Sequence, residues 1–289
     1  MAVGGRRATV RQVRRLHGGV DSSTHAVWLD PGGWVVLKRS WTTNPRSVSD
    51  EFEVLGFAER VPVPTPEPIA LDAAGEWFGR PAFVMSRVRG RSHLHDGRTG
   101  PWLKDLAVAL AAVHSTDVSS AVPDVLHRPP AWQVWQPAPV DELSRSRRVE
   151  AILAAAVALQ EDLRARRPAA SFLHHDFHTG NAAWYRGRLT AVVDWNEGRL
   201  GPAVSDVAYC SVHLAMSHRS AAADRFVADY DDATGGQLSD LRRWQLLWIA
   251  NAMRWIRYWE AAHRALGLHG LTQPVLRRRL ALYAERALS

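Results

Sequence analysis

The sequence predicts an α+β protein of two lobes, the first rich in strands with one main helix, the second mostly helical. Three observations carry this. Short β-branched or aromatic runs separated by turn residues crowd the first third of the chain. Apolar residues at helical spacing dominate the later part. The texture changes around Ser86–Gly90, which divides the chain into residues 1–86 and 87–289.

Each element follows from local chemistry. Ala26–Leu29 and Trp34–Lys38 read as paired strands around Asp30-Pro31-Gly32-Gly33, a turn whose Pro and Gly supply the required dihedrals. Val48–Arg60 carries apolar residues at helical spacing, with Ser49 as the expected N-cap. Val61–Pro68 has proline at every second position and must be an extended connector. Pro81–Ser86 is a further strand. Pro101–His114 and Ser146–Arg166 are helices; between them Val118–Val140, with Trp132 and Trp135, is irregular and could border a pocket. Ala182–Tyr185 and Leu189–Val193 form a short hairpin turning at Arg186–Arg188. From Asp206 the chain reads as helix, through Leu241–Leu266 and Leu276–Leu288.

Composition narrows the function. A chain of 289 residues with 46% hydrophobic content can bury a substantial core. Its one cysteine, Cys210, excludes an internal disulfide and a cysteine-built zinc cage, and fits a reducing compartment. The Arg-rich start lacks the apolar stretch of a secretory signal, and no apolar run approaches the roughly 20 residues of a membrane span. A cytoplasmic protein, monomeric or weakly dimeric, is expected, with no membrane partner. The formal charge of +7 raises nucleic acid as a partner, but the arginines are scattered and no nucleic-acid motif organises them. No nucleic-acid partner is expected. Only two of the 36 basic residues are lysines, Lys38 and Lys104, so Lys38 on its strand invites a question.

The most informative stretch is Leu173–Asn181, LHHDFHTGN. Its histidines and aspartate are metal-ligand types, yet no metal-helix spacing such as H-E-x-x-H accompanies them. His175 and His178 read as loop-packing or exposed histidines rather than ligands. A second reading joins Asp176 to Asn181, five residues on, and to Ala191-Val192-Val193-Asp194. Phosphoryl transfer needs a carboxylate to orient the attacking hydroxyl, and an amide and a carboxylate to hold Mg²⁺ against nucleotide phosphates. His-x-Asp-x4-Asn followed by Val-Val-Asp supplies these parts in order, and the hairpin would carry Asn181 and Asp194 to one edge.

These residues resemble the aminoglycoside phosphotransferase and choline-kinase-like family, small-molecule relatives of protein kinases. LHHDFHTGN is similar to its H-x-D-x-H-x-x-N loop, and AVVDWNEGRLGPAVSDVA to its I-D-W-E…G-x-P…D-L-A segment. Upstream, HGGVDSSTHAVWL is similar to the family's nucleotide loop, VVLKR to its lysine strand, DEFEVL to its first helix and FVMSRVRG to its hinge. The resemblance spans nearly the whole chain and implies the bilobal protein-kinase-like fold. It implies that Asp176 is the catalytic carboxylate and that Asn181 and Asp194 hold Mg²⁺. Lys38 would contact the α- and β-phosphates, with Glu51 rather than Glu53 holding its ammonium. Ser22, Ser23 and Thr24 would cover the phosphates, and Met85, Ser86 and Val88 would lie along the adenine edge. His174 and Asp206 would support the loop, and Trp195 and Glu197 would border the substrate. Three departures stand out: His175 where glycine is usual, Asn196 where glutamate is common, and Arg87 where the hinge often carries an acid.

The implied activity is Mg²⁺-dependent transfer of the γ-phosphoryl group of ATP or GTP to a hydroxyl of a small molecule, an antibiotic such as an aminoglycoside or macrolide, or a related natural product or metabolite. The alternatives are a catalytically silent nucleotide-binding protein of this fold and, further off, a His/Asp metallohydrolase. A protein kinase is disfavoured because Asp194 continues Trp-Asn-Glu, without an activation segment. Trp244, Trp248, Trp255 and Trp259 recur at helical spacing, as core packing or as a substrate-facing stripe. A neutral or weakly cationic acceptor is expected, because arginines outnumber acids from Asp206 onward and the abundant Trp suits a sugar ring or an apolar macrocycle; an aminoglycoside stays open, since Glu197, Asp224, Asp229, Asp231, Asp232 and Glu260 could still converge.

Overall fold

The computed structural model describes residues 2–3, 6–16, 22–44, 46–92, 100–129, 146–166, 169–236, 238–265 and 268–289. The readings placed on His17–Asp21 and on Trp132 and Trp135 lie outside them. A two-residue ladder pairs β1 (Ala2–Val3) with β2 (Arg6–Arg7). The main sheet contains β3 (Thr9–Leu16), β4 (Ser22–Asp30), β5 (Gly33–Ser40), β6 (Pro68–Asp72) and β7 (Ala82–Ser86). Its order is β3-β4-β5-β7-β6, antiparallel throughout.

Strand periodicity sets up the site. Side chains alternate between faces, so Val35 packs with Val27, Leu29 and Val84 in a small apolar cluster on one face. Lys38 lies directly opposite Phe83, and Phe83 belongs to the main core with α1 (Arg46–Ala58). The lysine is thereby aimed at the helix. Strand β3 was not legible in the sequence, because as an exposed edge it has no buried face to impose a pattern; Val10 and Val13 remain 56% exposed. Ser49 lies inside α1 rather than capping it. The helix begins at Arg46, whose N–H is accepted by Asn44 Oδ1 at 3.1 Å.

The helical part contains α2 (Pro101–His114), α3 (Arg147–Arg166), α4 (Val204–Ser217), α5 (Ser220–Thr234), α6 (Leu241–Ala265) and α7 (Gln273–Leu288). Two small sheets hold the loops between them: β9 (Ser171–Leu173) with β12 (Arg199–Gly201), and β8 (Arg91–Ser92) with β10 (Ala182–Tyr185) and β11 (Arg188–Val192). The proline connector is pinned to β11 through Val192 N–H to Pro64 O, 2.9 Å.

One core runs through both halves. Phe57 of α1 meets Phe172 of β9 edge-on at 5.0 Å. A Cβ on Gly198 would lie 2.4 Å from Val54 Cγ1, so only glycine lets α1 sit this close to the chain beyond Asp194. The tryptophans divide by environment. Trp244 and Trp248 are buried, Trp259 is partly buried, and Trp255 is 45% exposed on the same face of α6. Among the described residues no helix is long and apolar enough to cross a membrane.

Candidate functional site

Residues far apart in sequence meet where α1, β5 and the β9–β12 region converge. Lys38 Nζ donates to Glu51 Oε1 at 2.6 Å and to Asp194 Oδ1 at 2.7 Å. The lysine and Glu51 are nearly sealed from solvent, while a third of the Asp194 side chain remains open. Burial opposes the charge on Lys38, but Asp194 and Glu51 outweigh it and raise its pKa, so it stays an ammonium. Lys38 in turn holds Asp194 below the usual carboxylate range. Burial pushes the Glu51 carboxyl up to about 7 against the pull of Lys38. Glu53, the competing partner from sequence, is not in this contact.

The loop after β9 carries the second group. Asn181 Nδ2 donates to Asp176 O at 2.9 Å and to Asp176 Oδ2 at 2.8 Å, which leaves its carbonyl oxygen as the donor atom for a cation. The backbone carbonyl of Asn181 accepts from Val193 N–H at 2.9 Å, placing Asn181 beside Asp194. Two oxygen-donor side chains at one edge suit a hard divalent cation. Tyr209, on α4, donates to Asp176 Oδ1. Burial pushes Asp176 up to about 6; the Tyr209 hydrogen bond and His174 restrain that rise, while Asp194 adds to it.

His174 and Asp206 brace the loop from behind. His174 accepts the Asp176 N–H at Nδ1, 3.3 Å, and donates Nε2–H to Val193 O, 2.9 Å, which defines its neutral tautomer. The Asp206 carboxylate accepts the N–H groups of His174 at 2.8 Å and of His175 at 3.1 Å, and lies 3.4 Å from His114 Nε2. Burial works against that charge, but the His114 contact and the nearby loop histidines hold the group below its ordinary range. Two residues here adopt the left-handed conformation, His175 at φ 65° and Asp194 at φ 64°. Non-glycine residues pay for that backbone, on the order of 1–3 kcal/mol each. At His175 the geometry accounts for the glycine usual in the resembling family. The imidazole is buried and turns to Trp248, ring centroids 5.6 Å apart.

Several sequence expectations need correction. Ser22, Ser23 and Thr24 are not a loop: they open β4 and pair with Ser40, Arg39 and Lys38. Ser22 and Ser23 are buried and Thr24 is half-buried, so the ladder runs to the strand end. Ser86 spends its N–H on Glu67 O at 2.8 Å, because β6 runs beside β7 there; Met85 likewise pairs with Val36 and Pro68. Trp195 is core rather than a substrate contact. It is 1% exposed, stacks on Phe172 at 5.4 Å and donates Nε1–H to Val192 O. Among the described residues no three His, Cys, Asp or Glu side chains converge as a metal site. The loop imidazoles diverge, with His178 Nδ1 taking the Gly180 N–H and stacking on His213 at 4.9 Å.

Sequence reasoning missed Tyr209, His114 and His213. The available signal was Tyr209 one turn after Asp206, on the same helix face. These rings also predict an acid sensitivity. Burial lowers the pKa of His174 and His213, and takes His175, His178 and His263 to about 4 from the ordinary 6.5. The unfolded chain then binds more protons between about pH 6.5 and 4, so stability is lost as pH falls through that window. The raised carboxyls of Asp176 and Glu51 act oppositely, but two carboxyls do not offset five imidazoles. The thermal midpoint is expected to be lower at pH 5 than at pH 7.5, and the difference to shrink in His263→Gln. An equal or higher midpoint at pH 5 would refute the assignment.

An antiparallel sheet over a helical lobe, with a buried Lys–Glu pair and a braced Asp–Asn loop, defines the protein-kinase-like fold of small-molecule phosphotransferases. Residues 12–247 match the family described as "Phosphotransferase enzyme family". The chain belongs to that family and is an enzyme of the small-molecule kinase class. Solved structures share its fold. A candidate aminoglycoside phosphotransferase from Ralstonia eutropha is 19% identical over 98% of this chain and 95% of its own, with TM-score 0.69. An amicoumacin kinase in complex with AMP-PNP and Ca²⁺ is 15% identical over 95% and 88%, TM-score 0.65. The GDP and kanamycin complex of an APH(2″) enzyme is 15% identical over 96% and 93%, TM-score 0.66. No curated protein matches the sequence.

Proposed function

We propose that this enzyme transfers the γ-phosphoryl group of ATP or GTP to a hydroxyl of a neutral or weakly cationic small molecule. The observation that carries the reading is the meeting of Lys38, Glu51 and Asp194 in one ion cluster beside the bonded pair Asp176–Asn181. Asp176 orients and deprotonates the acceptor hydroxyl, Lys38 takes the α- and β-phosphates, and Glu51 keeps the ammonium aimed. Asn181 and Asp194 would hold Mg²⁺, which when bound neutralises phosphate charge. Catalysis on this reading is mainly positioning and charge neutralisation. Two of the solved relatives carry AMP-PNP and GDP, so both nucleotide classes belong in any assay.

The acceptor reading rests on where the acids go. Asp224 pairs with Arg286, Asp229 with Arg225, and Glu260 with Arg264 and the Gln273 N–H. Each of these acids already has a partner within the helical part, and Glu197, whose charge acts on both Glu51 and Tyr209, is an acid that reaches the site; this suits a weakly cationic acceptor better than a polycation. Trp255, exposed between two inward-facing tryptophans, offers a flat apolar surface for a ring. The test is thermal shift with Mg·ATP and Mg·GTP, then phosphoryl transfer to a panel of hydroxylated antibiotics and sugars. Stabilisation by nucleotide at millimolar concentration is expected. Its absence would sink the reading; nucleotide binding with no hydrolysis or transfer would favour a silent binding protein.

A further inference from the structure

Tyr209 is the group on the candidate base that the reading above does not use. Its hydroxyl donates to Asp176 Oδ1, while Asn181 Nδ2 holds Oδ2 at 2.8 Å. The carboxylate oxygen away from the Asn181 side is therefore capped by an O–H, the kind of group an acceptor brings. The cap is built in. Tyr209 sits one turn beyond Asp206, whose carboxylate fixes the backbone at His174 and His175, so phenol and loop ride on one helix. Its ring is held between His213 at 4.4 Å and Trp248 at 4.8 Å. His213 Nε2 and Trp248 Nε1, in the wall around the phenol, are buried without a hydrogen-bond partner.

We infer that Tyr209 is a placeholder: its hydroxyl occupies Asp176 until an acceptor hydroxyl displaces it, and so keeps water from being phosphorylated. The reaction it suppresses is hydrolysis. A water oxygen would bond to the γ-phosphorus, the bond from that phosphorus to the β,γ-bridging oxygen would break, and the water proton would pass to Asp176. Nucleoside diphosphate and inorganic phosphate would leave. A water bound to Asp176 in place of the phenol is oriented for this attack; with the phenol present it is not.

The inference rests on the phosphotransfer reading, and the experiment separates the two. Phosphate release from Mg·ATP and Mg·GTP is measured without any acceptor for wild type, Tyr209→Phe and the double variant with Asp176→Asn. Nucleotide binding is followed in parallel by thermal shift with AMP-PNP and with GDP. Tyr209→Phe keeps the ring contacts to His213 and Trp248; Tyr209→Leu is the second variant should the first fail to fold. The expected result is a rise of roughly tenfold in acceptor-free turnover, below the ~10²–10⁴-fold a general base contributes because a freed Asp176 must still capture and orient a water. The nucleotide KM should not change, and the gain should vanish in the double variant. A purely structural tie predicts equal or lower turnover, and that result in a folded, nucleotide-binding variant overturns the placeholder. A phosphoryl group found on Tyr209 of the wild type also overturns it, because the phenol would then be an acceptor. Failure of every form to bind nucleotide removes the phosphotransfer reading and the inference with it.

Discussion

Asp176→Asn is expected to lower the rate of phosphoryl transfer by about 10³-fold, within the range general-base and electrostatic contributions reach. The substitution preserves shape and removes the charge and the proton-accepting oxygen pair. The surrounding contacts can be kept. Asn181 Nδ2 now donates to Asp176 Oδ2, and Tyr209 donates to Oδ1. The new amide oxygen can still accept from Asn181, and its NH₂ can donate to the Tyr209 oxygen, because a phenol also accepts. The nucleotide side should be spared, because the Lys38–Glu51–Asp194 cluster makes no contact through Asp176. Nucleotide KM should therefore hold while single-turnover transfer collapses. Transfer within threefold of wild type would refute the role of Asp176.

The largest stability effect is expected at Asp206. The carboxylate is fully buried, accepts two loop N–H groups and lies against His114. Asp206→Ala leaves those donors without an acceptor inside the core. Breaking a buried charged network of this kind costs about 3–5 kcal/mol, and each orphaned donor about 1–3 kcal/mol of that. Denaturant unfolding of Asp206→Ala should show this as a lower midpoint at an unchanged slope. Asp206→Asn, which keeps one acceptor oxygen, should lose less. A loss under about 1 kcal/mol for the alanine variant would mean the loop is braced elsewhere.

Much of this was legible because it is local. Turn residues at Asp30–Gly33, helical spacing in Pro101–His114 and the His-x-Asp-x4-Asn order each depend on a few neighbours in the chain. Pro101–His114 is a helix with the expected bounds, and the strands around Lys38 and Phe83 lie where expected. Where the reading slipped, the deciding neighbour was remote. Ser22–Thr24 look like a polar loop until β5 is laid beside them. Trp195 looks available to a substrate until Phe172 stacks on it.

Chain order alone carries the succession of parts: a lone strand lysine, an acidic helix, an Asp–Asn loop and a strand ending in aspartate, and with them the resemblance to a family and its kind of reaction. Packing supplies what that order leaves open: that Lys38 meets Asp194 as well as Glu51, that His175 faces Trp248 in a left-handed backbone, and that Tyr209 lies on Asp176. The reason is physical. Propensity and spacing act over one or two turns, whereas burial and hydrogen bonding between residues as far apart as Lys38 and Asp194 exist only once packing has brought their elements together.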